Sequence, residues 1–177
     1  MYILGDIGNS ETKLFLVNSK NRIIKDISFS SKKINVRVLN SNFNSLTKDY
    51  SKIEKVLFCS VVPKSFSLIK KFVYKKIKKK CYEVKDLKLR SLIDIKVNYK
   101  QVGSDRLTNA IGLLNHKDNF IILDFGTATT FDVIIKKSYK GGVIAPGIKI
   151  SLNTLSDKAT LIPKINLKKI KNIIGID

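Results

Sequence analysis

The stretch Ile3-Leu4-Gly5-Asp6-Ile7-Gly8-Asn9-Ser10-Glu11-Thr12 decides the fold, because a second copy of its pattern follows as Ile121-Ile122-Leu123-Asp124-Phe125-Gly126-Thr127-Ala128-Thr129-Thr130. The first copy runs on into Lys13-Leu14-Phe15-Leu16-Val17 and the second into Phe131-Asp132-Val133-Ile134-Ile135. Each reads as an apolar strand, an Asp at its end, a Gly turn with small polar residues, and a second strand. A strand end puts the carboxylate at a sheet edge, and the Gly lets backbone N–H groups approach an anion. A carboxylate beside such a turn can hold a cation next to phosphate. Two such turns facing each other can cradle a nucleoside triphosphate.

Around these repeats the chain reads as alternating strands and helices. Residues 2–7, 11–18 and 22–29 predict three consecutive strands, with turns at Gly8-Asn9 and Ser19-Lys20-Asn21. Residues 33–50 are polar, with a helix expected around Phe43 to Tyr50. Lys55 to Val62 reads as a buried strand. Pro63 suits the first turn of a helix, and Phe66, Ile69, Val73 and Ile77 give that helix an apolar stripe. Its other face is lysine, read as a solvated surface whose last positions complement the helix dipole. Further strands are expected near 81–84, 93–97, 120–124 and 130–135, a helix over 104–115, a glycine-bounded strand at 141–147, and a helix beginning near Gly147. No linker separates the halves, which divide as 1–101 and 102–177.

Composition narrows the function. Of 177 residues, 44% are hydrophobic, enough for one core or two small lobes. No apolar run approaches the roughly 18 residues of a membrane span, and the N-terminus lacks the pattern of a signal peptide; a cytoplasmic protein is expected. Cys59 and Cys81 form no CxxC and read as core thiols. The lone His116 reads as a residue at a helix end. The formal charge of +20 comes almost wholly from lysine spread along the chain. Base-reading sites favour Arg, so the excess is read as a compositional bias that attracts anions such as ATP, and nucleic acid is not expected as a partner.

A third constellation, Val102-Gly103-Ser104-Asp105-Arg106, opens the helix over 104–115. Gly103 or Ser104 can cap it, and the dipole stabilises a carboxylate in its first turn. Asp105 can take a proton from a substrate hydroxyl, and Arg106 can clamp a carboxylate or phosphate.

With Gly141-Gly142-Val143-Ile144-Ala145-Pro146-Gly147, these segments resemble the type III pantothenate kinases of the acetate kinase/sugar kinase/Hsp70/actin superfamily. The matching motifs are DIGNS at Asp6, VGSDR at Val102, DFGTATT at Asp124 and GGVIAPG at Gly141, in the family's order. The resemblance implies an α/β fold of two duplicated actin-like, ribonuclease H-like domains, the second truncated at its C-terminus because family members run longer. It implies ATP-dependent phosphorylation of the primary hydroxyl of pantothenate, the first step of coenzyme A biosynthesis, in a homodimer.

The resemblance also implies the site. Asp6, Ile7, Gly8, Asn9, Ser10, Glu11, Thr12 and Lys13 would form the first phosphate turn, with Asp6 helping to hold Mg²⁺ and Asn9 and Lys13 meeting ATP phosphates. Gly103, Ser104, Asp105 and Arg106 would line the pantothenate site. Asp105 would be the general base, and Arg106 would pair with the substrate carboxylate or orient Asp105. Tyr99 is the aromatic expected against the substrate, in a segment, 95–101, that lacks the Pro-containing turn common in the family. Asp124 would bind a monovalent cation, K⁺ or NH₄⁺, and Thr127 would contact ATP. Gly141, Gly142, Pro146 and Gly147 would shape the loop near the nucleotide. The alternatives are a non-catalytic transcription accessory factor, a phosphohydrolase of the same superfamily, and an inactive fragment of the kinase. The three carboxylates Asp6, Asp105 and Asp124 argue for catalysis over mere binding.

Overall fold

A computed structural model describes residues 1–116 and 118–164. The first sheet begins as expected, with β1 (Tyr2–Ile7), β2 (Glu11–Val17) and β3 (Ile23–Ser30) in an antiparallel meander. The turn from β2 to β3 is built on Asn18, whose Oδ1 accepts from the N–H groups of Lys20 and Arg22. β4 (Lys55–Ser60) then pairs parallel with β1, and β5 (Cys81–Glu83) parallel with β4, giving the order β3-β2-β1-β4-β5. Parallel neighbours need a crossover, and two helices supply them.

The first crossover, α1 (Val36–Leu46), lies earlier than the helix expected around Phe43 to Tyr50. Asn35 starts it, accepting the Val38 N–H on Oδ1 at 3.0 Å. Leu39, Phe43 and Leu46 form its buried stripe. The interspersed Asn and Ser are poor helix formers; the cap and the stripe outweigh them. The second crossover, α2 (Pro63–Ile77), has Pro in its first turn and buries Ile69, Val73 and Ile77. It stops at Lys78, in the left-handed conformation with φ 59°. Its lysines are largely exposed, as read from the sequence. One core joins Ile3, Ile7 and Leu14 of the sheet to Leu39 and Phe43 of α1 and Ile69 and Val73 of α2.

The opposite face of this sheet carries a second core. Cys59 of β4 packs there with Val84, Leu89, Val102, Leu107 and Ala110. Leu107 and Ala110 belong to α3 (Ser104–Gly112), shorter than the 104–115 expected. A second sheet has the order β6-β9-β8-β7, with β6 (Asp94–Ile95), β7 (Phe120–Phe125), β8 (Ala128–Ile135) and β9 (Ser138–Pro146). Its β7-β8-β9 neighbours repeat the β1-β2-β3 order of the first sheet. α4 (Ile148–Lys158) follows β9, where a helix near Gly147 was expected.

The chain forms two compact units. One comprises Met1–Ile122 with Asp132–Gly142, the other Leu123–Phe131 with Val143–Asp177. Both cysteines are buried free thiols, as expected. No helix among the described residues is long and apolar enough to cross a membrane.

Candidate active site

The first turn is closed by the Gly8 N–H donating to the Glu11 carbonyl at 3.0 Å. Strand alternation divides its residues between two faces. Ile7 and Thr12 face the helix side, both fully buried; the Thr12 hydroxyl meets the Ser31 hydroxyl at 2.8 Å. Ile7 and Thr12 thus offer a phosphate only backbone atoms. Asp6 and Lys13 are directly paired across the strands, so they share the other face. Lys13 is exposed, with its ammonium 3.8 Å from Glu11 Oε2. Asn9, Ser10 and Glu11 are exposed at the tip.

On the other side of Asp6 in the same sheet stands Cys59, its parallel partner on β4. The Cys59 thiol lies 3.8 Å from Asp6 Oδ1 and 3.7 Å from the Ser104 hydroxyl. Burial, then the Asp6 charge, push this thiol's pKa up to about 12, and the Asp105 charge adds to the rise. Asp6 and Asp105 therefore both bear on one thiol, and the row Lys13, Asp6, Cys59 runs across the sheet towards the start of α3.

The start of α3 is tied to β4 by Ser104. Its hydroxyl, buried at 1% exposure, accepts from the Ser60 N–H at 2.8 Å and donates to the Ser60 carbonyl at 2.9 Å. Ser104 is thereby an anchor, with its side chain engaged inside the protein. Gly103 is the helix cap. A Cβ on it would fall 2.2 Å from Asp105 Oδ1, so only glycine lets the carboxylate fold back over the helix start. There Asp105 Oδ1 accepts the Arg106 N–H at 2.8 Å.

The Arg106 side chain turns to Asp132 on β8, donating from Nε to Oδ1 at 2.7 Å. Nη2 lies 2.6 Å from the same oxygen, an ion pair by distance. Its N–H bonds are not aligned on that oxygen, so among the described residues Nη2 makes the ion pair without a hydrogen bond. Burial lowers the guanidinium pKa, but the hydrogen bond and charge of Asp132 outweigh it and leave the pKa raised. The sequence reading did not single out Asp132. The available signal was an acid within the apolar run Phe131-Asp132-Val133-Ile134.

Tyr99 is half-buried. Its hydroxyl donates to the Lys85 carbonyl at 2.9 Å, and its ring lies 5.1 Å from Lys85 Nζ and 5.4 Å from the Arg90 guanidinium carbon. Lys85 Nζ also donates to the Val102 carbonyl at 2.9 Å, fastening the segment that leads into Gly103.

In the other unit, Asp124 and Thr127 are exposed on the second turn. The Gly126 N–H donates to the Ala128 carbonyl, and the Thr127 carbonyl accepts from the Gly147 N–H at 3.1 Å. A Cβ on Gly147 would lie 2.3 Å from the Gly126 carbonyl oxygen, so the last glycine of GGVIAPG permits this close approach. Gly141 adopts φ +107° within β9. No group of three or more metal-ligating side chains occurs among the described residues. A single protein carboxylate suits Mg²⁺ carried mainly by phosphates and water.

The fold is a mixed α/β fold with two sheets. One solved structure similar to it is described as a Baf family transcriptional activator from Campylobacter jejuni (TM-score 0.52, 20% identity, 88% of this chain and 59% of that one). Another is described as a 2-dehydro-3-deoxygalactonokinase protein from Sinorhizobium meliloti (TM-score 0.51, 7% identity, 89% of this chain and 58% of that one). At such identities the likeness concerns the fold alone. The family model for type III pantothenate kinase matches residues 2–177. The type III pantothenate kinase of Pelagibacter ubique strain HTCC1062 is 62% identical over 177 residues, all of this chain and 71% of that protein. That of Sulfurihydrogenibium sp. strain YO3AOP1 is 34% identical over 99% of this chain and 72% of its own length. The chain belongs to the type III pantothenate kinases.

Proposed function

We propose that this chain catalyses its family's reaction, transfer of the ATP γ-phosphoryl group to the primary hydroxyl of pantothenate, with Asp105 as general base. ATP supplies the phosphoryl group, and catalysis of such a transfer is mostly alignment and charge neutralisation. Asp6 gives a carboxylate to the nucleotide's Mg²⁺, and Lys13 and the Asn9 tip meet phosphate. Asp105 receives the hydroxyl proton late in transfer, when the hydroxyl has become acidic. Arg106 pairs with the pantothenate carboxylate or orients Asp105. Asp124, with the carbonyl-bearing turn after it, takes a monovalent cation, K⁺ or NH₄⁺, and Thr127 contacts ATP. We read the repeated meander order as two actin-like halves, and the working protein as a cytoplasmic homodimer.

The observation that carries this reading is the convergence of Asp6 and the first turn of α3 on Cys59. It supports the reading by setting Asp6 and the helix start that carries Asp105 beside one thiol of the first sheet. The test measures ADP formation with and without pantothenate, in K⁺ and in Na⁺. ADP should form only with pantothenate, and faster in K⁺. Asp105→Asn should lower kcat by about 10²- to 10⁴-fold while ATP affinity by calorimetry stays within about twofold, because the lost group acts on the chemical step. Undiminished turnover in Asp105→Asn removes it from its role. Phosphate release without pantothenate points to a hydrolase instead.

A further inference from the structure

Asp132 has no exposed surface, and a buried carboxylate is costly unless it is paired. Its Oδ1 takes the Arg106 Nε–H at 2.7 Å and the Tyr139 O–H at 2.5 Å. Tyr139 is also fully buried and stands on β9, the neighbour of β8. Burial first, then Asp132, raise the Tyr139 hydroxyl's pKa, so it remains a donor throughout the neutral range. A buried ion pair adds little net stability over an apolar pair of equal volume. What it does supply is a single orientation. Arg106 follows Asp105 directly, and its own N–H holds the Asp105 carboxylate. Asp132 therefore keeps the Arg106 guanidinium in one orientation, one residue after the base.

We propose that Asp132, held in turn by Tyr139, is a positioning residue for the kinase reaction: it holds the Arg106 guanidinium in one orientation next to Asp105. This rests on the reading of Asp105 and Arg106 as substrate-side groups. The device acts on the pantothenate side and leaves nucleotide binding untouched.

The test combines kinetics with arginine side-chain NMR on the purified protein. Asp132→Asn should lower kcat/KM for pantothenate by about 10- to 100-fold, the cost of a small misplacement, with KM for ATP within about twofold. Tyr139→Phe, which keeps the core volume, should show the same selectivity with a smaller loss of roughly threefold to tenfold. In an Arg106→Ala background Asp132→Asn should cause no further loss, because Asp132 acts through Arg106. The Nε–H of Arg106 should exchange slowly with solvent, unlike those of exposed Arg22, Arg37 and Arg90, and should lose that protection in Asp132→Asn. Additive losses in the double variant, equal effects on ATP and pantothenate, or an Nε–H still protected in Asp132→Asn overturn the proposal. If Asp132→Asn fails to fold, an unchanged kcat/KM in folded Tyr139→Phe does the same. Arg106→Ala with unchanged kcat/KM for pantothenate instead overturns the underlying reading of the site.

Discussion

The β1–β2 and β7–β8 hairpins are written in nearly the same sequence pattern, yet they are packed differently. Ile3 and Ile7 are fully buried, whereas Ile121 and Phe125, at the matching places, are 66% and 63% exposed. Leu123, which stands where the first copy has Gly5, is 48% exposed. Asp6 is half-buried beside Cys59, and Asp124 is exposed. The repeat sets strand, carboxylate and turn in both hairpins, since these depend on local chemistry. Whether an apolar face is buried depends on what is laid over it. α1 and α2 bury apolar stripes with the first hairpin; α4 has no buried side chain.

The largest effect that can break this comparison is catalytic. If the two carboxylates hold different cations, as proposed, they must fail differently. Asp6→Asn should lower kcat by about 10²-fold or more, with excess Mg²⁺ only partly restoring it, because charge neutralisation of the phosphates is the main catalytic term. Asp124→Ala should instead abolish the difference between K⁺ and Na⁺, leaving a slow rate that neither ion changes. ADP formation across a Mg²⁺ and a K⁺ titration reads both. Identical profiles for the two variants would end the division of labour.

The next effect is on stability. Ile7→Ala removes a fully buried side chain from a packed core and should cost about 2–5 kcal/mol in urea unfolding. Phe125→Ala should cost less than about 1 kcal/mol, because most of the ring is already in water. Equal losses would mean that the Phe125 face is covered in solution, for instance by another copy of the chain. A loss at Phe125 that shrinks on dilution would identify that covering as association.

How far the sequence discloses this molecule follows the same line. The first meander, α2, β4 and the three acidic motifs are legible because each is a local pattern: alternation, a Pro start, a glycine turn. α1 lies earlier than its sequence suggests because its signal is an Asn cap and three apolar residues among poor helix formers. The partners of the site are legible only in three dimensions. Ser104 bonding to Ser60, and Arg106 to Asp132, join residues far apart in the chain. A single sequence shows an acid in an apolar strand, without saying which cation meets it.

The smallest effect sharpens the comparison most selectively, because Cys59 and Cys81 both lie in the first sheet and neither lies in the second hairpin. Burial raises the pKa of each thiol to about 12, with Asp6 adding to the rise at Cys59 and Lys70 opposing it at Cys81. In the unfolded chain a thiol titrates near 8.5. Above that pH the unfolded state binds fewer protons than the folded one, so stability falls as pH rises, beginning near 8.5 and continuing towards 12. From pH 7 to 9 the loss should be about 0.8 kcal/mol per thiol. Urea unfolding at the two pH values, with wild type and the Cys59→Ala/Cys81→Ala variant, isolates the thiol contribution from the titration of other groups. The double variant should lose about 1.6 kcal/mol less than wild type over that interval. Phe125→Ala should retain the full wild-type slope, since its site is remote in sequence from either thiol and loosens no part of the first sheet. A double variant with the wild-type slope would mean that the thiols titrate normally in the folded protein, and that the first sheet is as open to water as the exposed face of β7.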